Sequence, residues 1–248
     1  MAQREPNIRI CSSSDELTAF LLRQWRELAN EAVARKGFFA AALSGGTTPA
    51  AFYRGLVGLR DDFPWAKTHI FLVDERFVPW DDPDSNYGML RKLFLDAVGI
   101  PEENMHPITT NGASPQKAAE LYENELQRFF GHPGSAIPEF DFVGLGIGED
   151  GHVASLFPGR PELAEQERLV VPVPEGSRAQ GRISLSLLVI NNAQQVFCIV
   201  TGKEKAGIVK RVIEERDAAL PASLIQPKQG TLVFVLDAGA ASLLSNSR

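Results

Sequence analysis

The chain has 248 residues, of which 44% are hydrophobic and 23% are charged, and its formal net charge at pH 7 is −6. This length and apolar content are enough for a substantial core, and we expect a single domain over residues 1–248. The acidic balance is unlike that of a nucleic-acid-binding protein, so we expect no nucleic-acid partner and only a local positive field if the substrate is an anion.

Neither the N-terminal sequence nor the cysteines indicate export or membrane insertion. The first ten residues, MAQREPNIRI, lack an apolar signal core, and no stretch approaches the roughly 18 uncharged apolar residues that a membrane-spanning helix needs. Cys11 and Cys198 lie in apolar runs without metal-ligand spacing, so we interpret both as buried thiols in a reducing compartment. We therefore expect a cytoplasmic protein with no membrane partner.

Hydrophobic patterning predicts strands that alternate with helices. The strands are predicted over 8–11, 38–43, 69–73, 140–145, 170–173, 183–188, 195–200 and 232–236. The helices are predicted from the capping region 12–15 to residue 36, then over 50–56, 86–97, 114–130 and 203–216. Residues 101–115 are predicted to be irregular, and the alternating Ser and Leu residues of 183–188 predict one solvated face. This order is typical of an α/β fold with a doubly wound, mostly parallel, Rossmann-like sheet flanked by helices.

The stretch at 140–159, FDFVGLGIGEDGHVASLFPG, is the candidate active site. It begins as a strand and ends in a glycine turn that carries Glu149, Asp150 and His152, and open α/β sheets bind their ligands at the carboxyl ends of strands. A histidine has an unperturbed pKa near ~6.5, and a nearby carboxylate can orient its ring, which suits general acid/base catalysis. The alternative for His152 is a purely structural histidine.

The same turn also contains the pattern G-x-G-x-x-G at 146–151, which a dinucleotide-binding protein would use. Here its two acidic residues would face the pyrophosphate, and Pro158 and Pro161 interrupt the helix that should follow. We therefore expect no nicotinamide cofactor.

A second loop and several cations are candidates for binding an anion. The loop follows the predicted strand 38–43 and either binds phosphate or forms a tight turn; its residues are Ser44, Gly45, Gly46, Thr47 and Thr48. Asp74 lies at another strand end, where it could also cap a helix or pair with Arg76. Arg76, Arg182 and Lys205 are either surface charges or, because they lie next to predicted strand or helix ends, ligands that converge on one anion.

The remaining histidines, His69, His106 and His132, are scattered along the chain without the spacing of a metal site. We expect no bound metal.

Five segments resemble the 6-phosphogluconolactonases, which belong to the glucosamine/galactosamine-6-phosphate isomerase superfamily. They are LSGGTTP at 43–49, VDERFVP at 73–79 with DSNYGM at 84–89, GIGEDGHVASLFPG at 146–159, RIS at 182–184 and GKEKA at 202–206. The resemblance implies the fold of this superfamily, hydrolysis of 6-phospho-D-glucono-1,5-lactone without a metal or cofactor, and a phosphorylated sugar lactone as the small-molecule partner. It is also compatible with a monomer or a weak homodimer.

The resemblance also implies residue roles. His152 would activate the water, and either Asp150 or Asp74 would orient it, while the 44–48 loop, Arg76, Arg182 and Lys205 would hold the phosphate. Lys205 is preferred to Lys203 because the superfamily pattern reads Gly-x-x-Lys-Ala.

Two alternative functions remain at this point. Glucosamine-6-phosphate deaminases share several of the segments, but they typically carry a tyrosine where this chain has Arg76 and a glutamate where it has Phe157. A non-catalytic sugar-phosphate sensor would be expected to carry a helix-turn-helix and a basic face.

Overall fold

The computed structural model describes residues 7–112, 114–131, 137–175 and 180–245. Its strands are β1 (Asn7–Cys11), β2 (Phe39–Leu43), β3 (Thr68–Leu72), β4 (Asp74–Arg76), β5 (Met105–His106), β6 (Phe142–Leu145), β7 (Val170–Val173), β8 (Arg182–Leu185), β9 (Gln195–Val200) and β10 (Thr231–Asp237). Its α-helices are α1 (Ser14–Lys36), α2 (Ala50–Leu56), α3 (Asn86–Leu90), α4 (Asp96–Val98), α5 (Pro115–Phe130), α6 (Leu187–Ile190) and α7 (Ala206–Ile213), with a π-helical turn, Arg91–Leu95, between α3 and α4.

Seven strands form a parallel sheet in the order β1-β10-β9-β6-β2-β3-β5. The interior strand β2, with the sequence FAAAL, is buried along its whole length, as expected for a parallel strand covered on both faces. This sheet and the flanking helices confirm the predicted α/β class. The buried hydrophobic side chains of the described residues join into one cluster, and the single domain over residues 1–248 stays a prediction.

Chain order reverses next to β2. From β2 the chain moves outward to β3 and β5, then returns to place β6 on the other side of β2 and continues to β9 and β10. Leu43 of β2 lies beside Gly144 of β6 in the register, so the loops that follow these two strands leave the sheet side by side. Such a switch point is where open α/β sheets form their ligand crevice.

A second, three-stranded antiparallel sheet in the order β4-β8-β7 was not predicted. The sequence predicts that the strand 69–73 ends directly at Asp74, Glu75 and Arg76, whereas these three residues form the separate strand β4. The prediction of a strand over 183–188 with a solvated face is also wrong in part. The strand is Arg182–Leu185, the helix α6 follows, and Ser184 and Ser186 are fully buried.

Local sequence signals account for most other boundaries. Ser13 caps α1 by accepting from the main-chain N–H of Glu16, and Ser114 caps α5 in the same way. Gly37 and Gly131 end these helices in the left-handed conformation. Two departures are the short strand β5 within the stretch predicted to be irregular, and the end of α7 at Ile213 rather than near 216.

Both cysteines are free and buried, as predicted. Burial raises the pKa of Cys198 to about 12, which keeps it a thiol at neutral pH. In the described part of the chain, no helix is both long and apolar enough to cross a bilayer.

Candidate active site

A cavity of about 790 Å³ opens at the switch point. The predicted site residues that line it are Ser44, Gly45, Gly46, Thr47, Thr48, Asp74, Arg76, His152, Arg182 and Lys205. Asp150 contacts His152 but does not itself line the cavity, and Lys203 does not line it either. The fold therefore brings together residues that lie up to 161 positions apart (44 to 205) in the sequence.

The turn after β6 folds back so that Asp150 meets the ring of His152. Nδ1 of His152 lies 2.5 Å from Oδ1 of Asp150, and the main-chain N–H of His152 donates to the same oxygen at 3.2 Å. The N–H of Gly148 donates to the carbonyl of His152 at 2.9 Å, which closes the turn. A carboxylate at Nδ1 favours the tautomer with its proton there and leaves Nε2 as the proton acceptor.

Glycine is required at two points of this turn. A Cβ on Gly148 would overlap Nδ1 of His152, so any other residue would displace the ring. Gly151 has φ +81°, in the left-handed region, and a Cβ there would lie 2.8 Å from the side chain of Leu220.

Phe157 lies between the histidine and one arginine. The centroid of the Phe157 ring is 4.8 Å from that of the His152 ring, and 5.7 Å from the guanidinium carbon of Arg182. The aromatic ring therefore packs against both groups, and its π-face attracts the cation.

Asp74 is buried and does not reach His152. In the described part of the chain, its carboxylate bonds to the Ser155 hydroxyl at 2.6 Å and to the side-chain amide of Asn86 at 3.3 Å. Of the two carboxylates that the sequence left open as partners of His152, the one in contact is thus Asp150.

Glu75, between Asp74 and Arg76, points to the opposite side of β4, as alternation along a strand dictates. It is fully buried and accepts hydrogen bonds from the main-chain N–H groups of Arg76, Asn86 and Tyr87 and from the Ser85 hydroxyl. Burial raises the pKa of Glu75, and the hydrogen bonds oppose this shift. Glu75 therefore joins β4 to the first turn of α3.

Several cavity residues were not given a role from the sequence: Asn86, Arg54, Glu204 and Asp237. Asn86, and Ser155 beside the cavity, lie within the motif segments that carry the family resemblance, so a signal existed for both. Asp237 accepts from the N–H of Gly202, which has φ +99°, and this contact fixes the turn that leads to Lys205. Arg54 had no sequence signal, because nothing distinguishes it from other arginines on helix surfaces.

Outside the cavity, two of the histidines that the sequence analysis regarded as scattered are in contact. Nδ1 of His69 lies 3.1 Å from Nε2 of His106, whose Nδ1 lies 2.7 Å from Glu125. The third, His132, falls outside the described residues. Over the described ranges, no group of three or more His, Cys, Asp or Glu side chains is arranged to hold a metal ion.

Comparison with known proteins places these features in one family. The family model described as glucosamine-6-phosphate isomerases/6-phosphogluconolactonase matches residues 12–234. The 6-phosphogluconolactonase of Synechocystis sp. is 42% identical over 217 residues, 86% of this chain and 88% of the relative. The human 6-phosphogluconolactonase is 38% identical over 245 residues, covering 96% and 93%. The crystal structure of 6-phosphogluconolactonase from Thermotoga maritima superposes with a TM-score of 0.80 at 30% identity, covering 94% of this chain and 100% of that chain. The chain therefore belongs to the glucosamine-6-phosphate isomerase/6-phosphogluconolactonase family.

Proposed function

We propose that this chain hydrolyses 6-phospho-D-glucono-1,5-lactone to 6-phospho-D-gluconate. The observation that carries the proposal is that His152, whose Nδ1 contacts Asp150, and the 44–48 loop, with its neighbouring arginines and lysine, border the same cavity. The same cavity thus supplies both a base and donors for an anion, as a phosphorylated ester requires. The names of the relatives support the same activity.

In the proposed mechanism, neutral His152 takes a proton from water through Nε2 while the water oxygen bonds to the C1 carbonyl carbon. The resulting tetrahedral intermediate collapses by breaking the bond between C1 and the ring oxygen, and the imidazolium returns its proton to that oxygen. The products are the free acid and a sugar hydroxyl. Asp150 holds Nδ1 and stabilises the positive charge of the ring, as the acidic member of a hydrolytic triad does.

The phosphate is proposed to lie against the 44–48 loop, where Arg76, Arg182 and Lys205 supply charge-assisted hydrogen bonds. These cations give an acidic protein a local positive field in its cavity. The mechanism needs one base and one water, so we propose that it uses neither a metal nor a cofactor.

The deaminase and sensor alternatives receive less support. A ring-opening isomerisation needs a second group that exchanges protons. This chain has Phe157 at the position of the deaminases' glutamate, and its aromatic ring, which packs on His152, cannot exchange a proton. A sensor would bind the sugar phosphate without turning it over.

An assay with freshly made lactone tests the proposal. The lactone is generated with glucose-6-phosphate dehydrogenase, and NADP reduction by 6-phosphogluconate dehydrogenase is followed with and without this protein. We expect the second reduction to accelerate above the spontaneous opening of the lactone. Binding of 6-phosphogluconate without such acceleration would support the sensor instead, and ammonia release from glucosamine 6-phosphate would support the deaminase.

A further inference from the structure

Two arginines of the cavity lie directly opposite each other. In the antiparallel register of β4 and β8, Arg76 is paired with Arg182, and Asp74 is paired with Ser184. Like charges in such a cross-strand position repel each other. A pair of this kind needs compensation in the structure around it.

The Arg182 side of the pair is connected to Asp74 through one hydroxyl. The hydroxyl of Ser155, a fully buried residue, donates to Oδ2 of Asp74 at 2.6 Å. The hydroxyl oxygen of Ser155 in turn accepts from Nη1 of Arg182 at 3.4 Å. Ser155 therefore links the guanidinium of Arg182 to the carboxylate of Asp74 through two successive hydrogen bonds.

The Arg76 side is connected to the same carboxylate through one amide. The side-chain oxygen of Asn86 accepts from Nη1 of Arg76, and its nitrogen donates to the carbonyl oxygen of Asp74 at 2.8 Å and to Oδ1 at 3.3 Å. The arginine donors fix which way the amide points, because only its oxygen can accept from them. Asn86 also packs against Gly45, where a Cβ would overlap the amide oxygen, so it holds Arg76 next to the 44–48 loop.

We propose that Asn86 and Ser155 are positioning residues that tie Arg76 and Arg182 to the single carboxylate of Asp74, so that the two arginines form one preorganised clamp for the substrate anion. Asp74 then acts on anion binding through the arginines, and His152 is served by Asp150 alone. This inference rests on the proposed function, since it assigns the anion that the clamp holds to the phosphate of the lactone.

Two variants test one arm of the clamp each. Asn86→Ala removes the amide, and Ser155→Cys keeps nearly the same volume but leaves only a weak hydrogen-bonding group. Asn104→Ala is the matched control, because Asn104 is also a buried asparagine that bonds to a backbone carbonyl, at 3.2 Å, and it lies outside the cavity. The measurements are KM, kcat, the pH dependence of kcat, and the affinity for inorganic phosphate from its effect on the melting temperature.

We expect each variant to raise KM and to weaken phosphate binding by about tenfold, as the loss of a hydrogen bond to a charged group does. The kcat should stay within about twofold of wild type, and its pH profile should not move, because the loss is one of uniform binding. The control variant should change neither KM nor the affinity for phosphate. Ser155→Cys keeps the inference testable if Asn86→Ala does not fold.

A fall in kcat at unchanged KM, or a displaced pH profile, would overturn the inference by showing that the network acts on His152. The inference would also be overturned if Asn86→Ala and Ser155→Cys had the same KM and phosphate affinity as Asn104→Ala. If the wild-type protein itself fails to hydrolyse the lactone, the proposed function falls, while the phosphate affinities still decide whether the clamp exists.

Discussion

At the residue scale, the contact between Asp150 and His152 sets the state of the imidazole. In the proposed mechanism, the carboxylate keeps the proton on Nδ1 and stabilises the charged ring during turnover. Because the pair lies within three consecutive residues of one glycine turn, the sequence was sufficient to name both members as candidates. It was not sufficient to choose between Asp150 and Asp74, since strand-end position alone fits either.

Replacing Asp150 by asparagine should lower kcat by about 10²-fold, because an amide cannot stabilise the imidazolium and can hold the wrong tautomer. The phosphate affinity should not change, since Asp150 does not line the cavity. Steady-state kinetics compared with Asp61→Asn, an exposed aspartate outside the cavity, provide the measurement. Equal kcat values in the two variants would remove Asp150 from the mechanism.

Gly148→Ala should displace the imidazole from Asp150, because the added Cβ would overlap Nδ1 of His152. We expect kcat to fall by about tenfold or more while the melting temperature changes little, since a displaced base loses part of its 10²–10⁴-fold contribution. Gly58→Ala is the matched control, as a Cβ at Gly58 meets nothing within 4 Å. A Gly148→Ala protein as active as this control would show that the position of the ring is not critical.

The roles of Asn86 and Ser155 could not be derived from the sequence, although both lie in the motifs of the family. Their contacts with Asp74 span 12 and 81 residues, so they depend on how β4, β8 and the turn after β6 come together. No local pattern contains that information.

At the element scale, the parallel sheet follows from local signals and the second sheet does not. Apolar runs, serine caps and terminal glycines predict β2, β9, α1 and α5 to within a residue or two. In contrast, periodicity does not reveal which sheet a short strand joins. The helix α5 packs against β7 and β8, so serines that alternate with leucine are covered instead of solvated.

The contact between β3 and β5 predicts a loss of stability in acid. Burial, and then the charge of His106, lower the pKa of His69 from 6.5 to about 4, and burial also lowers that of His106. Both groups bind protons more tightly in the unfolded chain. Their contribution to stability is therefore complete above pH 6.5 and decreases as the pH falls toward 4.

We expect the free energy of unfolding to be lower at pH 5 than at pH 7.5 by about 1 kcal/mol from His69, after allowance for its partial exposure. Urea denaturation at the two pH values, with His69→Gln for comparison, measures this. The difference between the pH values should shrink in the variant. A variant with the same pH dependence as wild type would show that His69 does not contribute.

At the scale of the whole molecule, the topology explains why distant segments make one site. The loops after β2 and β6 meet because these strands are neighbours at the switch point. The cations Arg76, Arg182 and Lys205 come from β4, β8 and the turn after β9. The predicted family and fold class are confirmed, because both depend on segments spread along the whole chain. The residue roles remain proposals.

The expected monomer or weak homodimer stays a prediction. In the described residues the exposed large hydrophobic side chains are Ile8, Leu121 and Leu243, which lie on different elements. An obligate dimer would need a larger contiguous apolar face. Sedimentation velocity should therefore find a species of 27.1 kDa at low protein concentration, and a dimer that persists on dilution would contradict this expectation.

The central claim is that His152 activates the water that opens the lactone. Its most direct test is the kcat of His152→Ala in the coupled lactone assay, corrected for spontaneous opening, with the melting temperature and phosphate affinity measured on the same preparation. We predict that kcat falls by roughly 10²–10⁴-fold while the phosphate affinity and the fold are retained. A folded His152→Ala protein that turns over lactone at the wild-type rate would contradict the account.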